Sequence, residues 1–351
     1  MDALPLGAWG KHWGLRRLAD AGGFFSMVAI DQRPPIVQLV ARARGVAASA
    51  AHFADIVQAK ALLAEGLAGH ASALLVDPDF GLPAATPHLD ASRGLLVALE
   101  EHGHDESAPG RRSQCIPQWS VAQIRRLGAD AVKLRAWYRP DAPAEQREHQ
   151  QALVRAFGAD CRAADIAFVF ELLAHAPAHE GGGAAVNAED PAQRRALMLE
   201  SVRVFTDPAF GVDLLGLESP LPMAALAEPD GKEADRVQRE FDALAAACAG
   251  VPWVLRSAAA SSERFERALV HACRAGGSGF LAGRSLWWEA LHAFPDAKRV
   301  RSRLQHHTVP RLQHLRHVVQ RHAKPLRPAV DFSGVQAEGD LCAARERGSA
   351  A

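Results

Sequence analysis

The sequence predicts a single-domain α/β fold, a (β/α)8 TIM barrel, from three observations. Eight short apolar runs recur along the chain, and most are followed by an amphipathic stretch. The runs are nearly continuous in apolar character, as parallel strands buried on both faces must be. Charged residues stand at or near the C-terminal ends of the runs, the rim on which barrel sites are built. A doubly wound open sheet shares the alternation, so periodicity alone leaves that choice open.

In order, the predicted strands are 24–31 (FFSMVAID), 71–77 (ASALLVD), 94–100 (GLLVALE), 131–138 (AVKLRAWY), 167–173 (AFVFELL), 212–218 (VDLLGLE), 252–257 (PWVLRS) and 279–284 (GFLAGR). Helical segments are predicted over 51–67, 121–127, 145–164, 191–205, 232–249 and 262–275. Pro34 and Pro35 should stiffen the first βα loop, and Trp287 and Trp288 should pack an eighth helix on the barrel. Residues 296–324 read as one broken terminal helix with Pro310 inside it. The chain thus divides into an N-terminal segment (1–20), the barrel with its terminal helix (21–324) and a polar, mobile tail (325–351). The 181–183 glycines fall in a βα loop without a dinucleotide-binding frame.

Composition excludes several classes. The 351 residues are 48% hydrophobic and 23% charged with a formal net charge of +0, so no overall field recruits nucleic acid or an anionic membrane. No apolar run reaches the roughly 18–20 residues of a membrane span. Five widely spaced cysteines show no C-x-x-C pair, which fits a reducing cytoplasm better than a disulfide framework or a structural zinc site. Residues 1–18 lack an apolar signal region. Only six of the forty cationic residues are lysines, and Lys133 is the one that falls within a predicted strand. Asp31, Asp77, Glu100, Glu171, Glu218 and Arg284 all stand near strand ends; a single one of them would read as a helix cap or a surface pair, but six in register point to a site.

Several segments resemble one family. Asp31-Gln32-Arg33 ends the first strand like that family's A-x-D-Q-R. LLVDPDFGLPA (74–84), GLLVALEEHGHD (94–105), GADAVKL (128–134) and AGGSGFLAGR (275–284) follow in the same order. Together they resemble the class I tagatose-1,6-bisphosphate and sulfofructose-phosphate aldolases from about Gly22 to Trp288. The resemblance implies a TIM barrel that cleaves and forms C–C bonds of a phosphorylated or sulfonated ketose through a lysine Schiff base. An iminium accepts the electrons released when a bond beside a carbonyl breaks, and a carboxyl group must move the accompanying protons.

Carried over residue by residue, the resemblance implies Glu171 as the catalytic acid/base, with a pKa raised by its apolar neighbours. It implies Gly283 and Arg284 as an anion-binding turn. Asp31, Gln32, Arg33, Asp77, Glu218 and Ser257 follow as substrate contacts. At strand six the pattern departs: VDLLGLESP places Gly216 where the family carries its Schiff-base lysine, and Ala259 replaces an expected glycine. Glycine forms no imine and leaves room where a long side chain would reach.

Lys133 matches a second family lysine and is the candidate relocated nucleophile; its other reading is an ion pair with Glu171 or Asp31. An isomerase, an epimerase or a binding protein without turnover is the alternative function. A metal-dependent aldolase would draw on His102/His104 and His175/His179, but a chain with sixteen histidines carries such pairs by composition. No metal and no organic cofactor are therefore expected. The expected partner is a small sugar phosphate or sulfosugar, with no nucleic acid and no membrane, and self-association into a homo-oligomer is left open.

Overall fold

Each apolar run of the sequence becomes a short strand buried along most or all of its length. The computed structural model describes residues 9–101, 112–173, 191–257 and 261–326. Its strands are β1 (Phe25–Ala29), β2 (Ala73–Val76), β3 (Gly94–Ala98), β4 (Ala131–Trp137), β5 (Ala167–Leu173), β6 (Leu214–Leu217), β7 (Trp253–Arg256) and β8 (Gly279–Ala282). They pair in parallel in sequence order, and β1 closes on β8 through the register Phe25↔Gly279 to Val28↔Ala282. The predicted TIM barrel is what the chain forms.

Strand alternation builds two cores. Met27, Leu75, Leu96, Val169, Val254 and Leu281 point into the barrel and form one buried cluster. Val28, Leu74, Val97, Val132, Phe168 and Leu215 point outward and join the second, larger cluster under the helices. That outer layer comprises α2 (Pro34–Arg44), α3 (Phe53–Leu67), α4 (Gly81–Ala85), α5 (Val121–Arg126), α6 (Ala144–Ala163), α7 (Pro191–Phe205), α8 (Ala234–Ala247), α9 (Ser262–Arg274), α10 (Arg284–Leu291), α11 (Ala297–Arg303) and α12 (Val309–His322).

Three local features differ from expectation or refine it. The N-terminal segment contributes α1 (Trp9–Leu18), which packs against β3, β4 and β5 and buries Leu18 against the inner cluster. Its Gly14 lies so close to the Asp130 carbonyl that a Cβ would stand 2.1 Å from that oxygen, so only glycine lets the helix seat there. Pro34 and Pro35 open α2 instead of stiffening a loop, because the first helical turn has no use for their missing N–H groups. The terminal helix is interrupted as expected: a π-helical turn (Leu304–Thr308) separates α11 from α12, and Pro310 falls in the first turn of α12. Of the tail, residues 325 and 326 are described, with the Leu326 N–H donating to the Gly23 carbonyl at 2.8 Å. Residues 327–351 lie outside the described residues. No helix of the described residues is long and apolar enough to cross a membrane.

Candidate active site

The alternation that fills the barrel also builds the site. Continuing the inward-facing positions toward the C-terminal rim leads from Ala29 to Asp31, from Ala98 to Glu100 and from Ala131 to Lys133 and Arg135. On the other side it leads from Val169 to Glu171, from Leu214 to Gly216 and Glu218, from Val254 to Arg256 and from Leu281 to Gly283. Register sets their neighbours: Arg135 lies opposite Glu171, Glu171 opposite Gly216, and Gly216 opposite Val254.

Lys133 is the centre of a buried charge cluster. Its ammonium donates to Asp31 Oδ2 at 2.8 Å, to Glu171 Oε2 at 3.0 Å and to Glu100 Oε1. All three of its protons therefore have carboxylate acceptors, and the side chain has no exposed surface. Burial alone would lower its pKa, but Asp31, Glu100 and Glu171 overcome that and push it above the ordinary lysine value. This geometry is the ion-pair arrangement of Lys133. Among the described residues, these three carboxylates form the one group close enough to hold a metal ion, and the Lys133 ammonium already lies among them.

Glu171 differs electrostatically from what its apolar neighbours suggest. Burial does raise its pKa, yet Arg256 and then Lys133 more than reverse this and hold the carboxyl well below the usual range. Arg256 Nε donates to Glu171 Oε1 at 2.8 Å, and its Nη1 lies 3.2 Å from Glu218 Oε1. Asp31 is also lowered: burial, the largest single cause, raises it, but the charge and hydrogen bond of Lys133 together with Arg135 more than reverse this. Glu100 is raised, because burial dominates there.

The space above Gly216 is occupied. A Cβ on Gly216 would lie 3.5 Å from Arg256 Cγ and Cδ, ordinary contacts, but 3.3 Å from Glu171 Cγ, which would have to give by a few tenths of an ångström. A longer side chain from β6 would meet the arm of Arg256, which enters from β7. The hole expected at Gly216 is thus filled by the neighbouring strand. Sequence reasoning passed over Arg256 and Arg135, although their inward parity in β7 and β4 was a signal that could have found both.

A polar cavity of about 100 Å³ opens above this cluster, lined by Asp31, Gln32, Arg135, Glu171, Arg256, Ser257, Gly283 and Arg284 among others. Gln32 Nε2 donates to Asp31 Oδ1 at 2.9 Å, while its buried Oε1 has no hydrogen-bond partner among the described residues. Ser257 Oγ accepts from the Gly283 N–H at 3.4 Å. Arg284 is exposed at the first residue of α10, where backbone N–H groups and a guanidinium can hold an anion together.

Lys133 and Glu218 do not line the cavity; they flank it through Glu171 and Arg256. Arg33 lies to one side, donating to the Glu100 carbonyl at 2.8 Å and pairing with Glu101 at 3.2 Å and Asp79 at 3.4 Å. Asp77 is not among the lining residues either. One of its oxygens accepts from the fully buried Lys60 ammonium and the other from the Phe80 N–H at 2.8 Å. Asp77→Ala would leave Lys60 buried with only the Ile30 carbonyl at 2.7 Å. Urea denaturation should show a loss of about 3–5 kcal/mol, the cost of breaking a buried pair, with ligand affinity unchanged in whatever fraction stays folded. A selective loss of affinity at full stability would instead place Asp77 in the binding site. His102, His104, His175, His179, Ala259 and the 181–183 glycines lie outside the described residues. The described cysteines are unpaired thiols, and burial pushes that of Cys115 up to about 11, far from a nucleophile at neutral pH.

Comparison with known proteins agrees with this architecture. The family model for DeoC/LacD family aldolases matches residues 25–289. The chain is 32% identical over 282 residues to a tagatose 1,6-diphosphate aldolase of Lactococcus lactis, covering 79% of this chain and 84% of that one. It is 33% identical over 283 residues to a tagatose 1,6-diphosphate aldolase of Streptococcus mutans, covering 78% and 83%. Among solved structures, a fructose-bisphosphate aldolase from Plasmodium falciparum superposes with a TM-score of 0.64 at 13% identity, covering 92% of this chain and 98% of that one. An archaeal fructose-1,6-bisphosphate aldolase gives 0.52 at 16% identity, covering 86% and 97%. At such identities the solved structures speak for the barrel alone. The family model and the sequence relatives carry the rest: the chain belongs to the DeoC/LacD family of aldolases and is an aldolase-like carbon–carbon lyase.

Proposed function

We propose that the chain binds a phosphorylated or sulfonated ketose in the rim cavity and cleaves it by an aldol-type reaction that forms no imine. The observation that carries this reading is the Arg256 side chain, whose Cγ and Cδ lie over Gly216 and whose guanidinium is hydrogen-bonded to Glu171. Arginine stays protonated and cannot condense with a carbonyl. Lys133 is buried, fully engaged by carboxylates and held protonated, so it serves as a fixed cation.

In this reading Arg284 and the N-terminus of α10 hold the anionic end of the sugar, with Gly283 admitting it close to the backbone. Asp31, Gln32 and Ser257 contact its hydroxyls. Glu171 takes the proton of the C4 hydroxyl; the C3–C4 bond breaks, the aldehyde fragment departs, and the bonding pair passes through C2 onto the carbonyl oxygen. Arg256 stabilises the resulting enediolate, which then receives at C3 the proton that Glu171 took from the C4 hydroxyl. The two steps reinforce each other. As Arg256 turns toward the new oxyanion, Glu171 loses the cation that holds its proton affinity down and becomes a better base. A protonated carbonyl partner is a weaker electron sink than an iminium, so slow turnover is expected.

Borohydride reduction in the presence of dihydroxyacetone phosphate and tagatose 1,6-bisphosphate, read by intact-mass and peptide mass spectrometry, tests this directly. The expected result is turnover of the ketose with no covalent adduct. An adduct mapped to Lys133 and absent from Lys133→Met would overturn the imine-free mechanism in favour of a relocated nucleophile. Exchange of the C3 proton without cleavage would make the chain a proton-transfer enzyme.

A further inference from the structure

A second cavity opens on the flank of the rim, between α2 and α10, and it meets the first at two residues. It encloses about 500 Å³ and is lined by Gln38, Leu39, Arg42, Arg284, Trp288 and Phe294 among others. Pro35 and Arg284 line the rim cavity as well. The size falls within the range of small-molecule sites, and the walls combine two guanidinium groups with aromatic and aliphatic surface.

The two arginines are what makes this groove more than a surface dent. Arg42 and Arg284 are both exposed, and neither has an ion-pair partner among the described residues. By contrast, the neighbouring Arg44 is committed to Asp55, at 2.5 Å. Two cations without ion-pair partners on the walls of one groove suit an anionic occupant. Trp288, half-buried, supplies the second feature. Its ring contacts among the described residues are a tilted one to Trp287 at 5.8 Å and an edge-on one to His292 at 5.3 Å, so no described ring stacks on the indole face. Trp288 packs in part against the core, and the portion that lines the groove beside the two guanidinium groups suits a flat ring bearing a phosphate.

We infer that this groove binds an aromatic anion of nucleotide size, a nucleoside monophosphate in chemical class, with its ring against Trp288 and its phosphate held by Arg42 and Arg284. Because Arg284 also borders the rim cavity, the occupant draws on the same guanidinium as the anionic end of the sugar. Binding at the two places is then mutually weakening, by the reciprocity of linked equilibria. That last clause rests on the sugar-phosphate reading above; the groove itself does not.

Isothermal titration of the full chain with AMP, adenosine and inorganic phosphate tests the groove without any turnover assay. AMP is expected to bind, and adenosine and phosphate each to bind about tenfold or more weakly, since each lacks one of the two contacts. Arg42→Ala, an exposed position, should weaken AMP by about tenfold, the typical effect of one charge-assisted contact. Trp288→Leu should do the same, with a thermal melt confirming that it folds. Should Trp288→Leu unfold, the ratio of AMP to phosphate affinity in the unmodified chain decides whether the ring contributes. Glu171→Gln should leave AMP binding intact, which separates failure of the groove from failure of the active-site reading. No AMP binding at millimolar concentration, an affinity unmoved by Arg42→Ala, or phosphate binding as tightly as AMP would each overturn the inference.

Discussion

Lys133→Met is expected to destabilise the protein by about 3–5 kcal/mol at neutral pH, the cost of leaving buried carboxylates without their cation. Asp31, Glu100 and Glu171 all accept from the Lys133 ammonium and are all buried, so one substitution strands three acids at once. Arg135 and Arg256 remain nearby and offset part of the loss. Between pH 5 and 8 the stability of the variant should depend more steeply on pH than that of the unmodified chain. In the unmodified chain Asp31 and Glu171 have depressed pKa values in the folded state. Their contribution is present above the unfolded carboxylate values, near pH 4, and is lost as pH falls below them. The raised Lys133 contributes fully below the unfolded lysine value of roughly 10.4 and loses that contribution only as pH climbs through its higher folded value. Without Lys133, burial should lift Asp31 above its unfolded value and Glu100 still further above its own, while Arg256, the larger cause at Glu171, continues to hold that carboxyl down. The folded variant then binds more protons than the unfolded chain, and its stability should rise as pH is lowered from 8 toward 5. Urea denaturation of both proteins at those two pH values measures the effect. A loss below about 1 kcal/mol, or a larger deficit at pH 5 than at pH 8, would show that the cluster is not a mutually compensating unit.

Arg256→Met should lower kcat by about 10²–10³, the usual cost of removing one donor that stabilises a developing oxyanion. It also frees Glu171 from the cation that depresses its pKa, so the acid limb of the rate profile should move to higher pH. A merely structural Arg256 would reduce stability without moving that limb. The reciprocal experiment pairs Arg256→Ala with Gly216→Lys. The first removes the arm that fills the space above residue 216, and the second supplies a primary amine there, its Cβ asking only a small shift of the Glu171 side chain. The double variant should yield a borohydride-trapped adduct with dihydroxyacetone phosphate mapped to position 216. Gly216→Lys alone should trap poorly, because its side chain meets the guanidinium arm. Equal trapping by the single and double variants would mean that Arg256 does not stand in the lysine's place.

Much of the architecture is legible in the sequence because a buried parallel strand must be apolar on both faces. Runs such as FFSMVAID and AFVFELL can do little else in a folded chain of this size. Period-two alternation is equally local, and it places Asp31, Glu100, Lys133, Glu171 and Glu218 on inward positions without reference to any other strand. The same rule marks Arg135 and Arg256. In the sequence, though, an arginine inside a strand reads equally as a surface pair until the partner that it meets across the barrel, here Glu171, is known. Local rules fail for Asp77. Its parity and strand-end position resemble those of Asp31, but Lys60 reaches it from α3, and no periodicity within β2 reports a buried partner on a helix.

Short segments of the sequence are enough to give eight buried strands, the rim on which charge collects and the absence of a lysine at position 216, because strand burial, side-chain parity and residue identity are local properties. The family resemblance, not periodicity, favours a barrel over an open sheet. Only the tertiary structure decided what those charges do. The protonation of Lys133 depends on three acids 102, 33 and 38 residues away along the chain, which barrel closure brings within hydrogen-bond distance. The apparent vacancy at Gly216 depends on Arg256, whose arm enters from the next strand and pairs with a glutamate 85 residues earlier. Coulombic interactions between buried groups are set by distances of a few ångströms, and such distances between residues remote in sequence exist only once the barrel has closed.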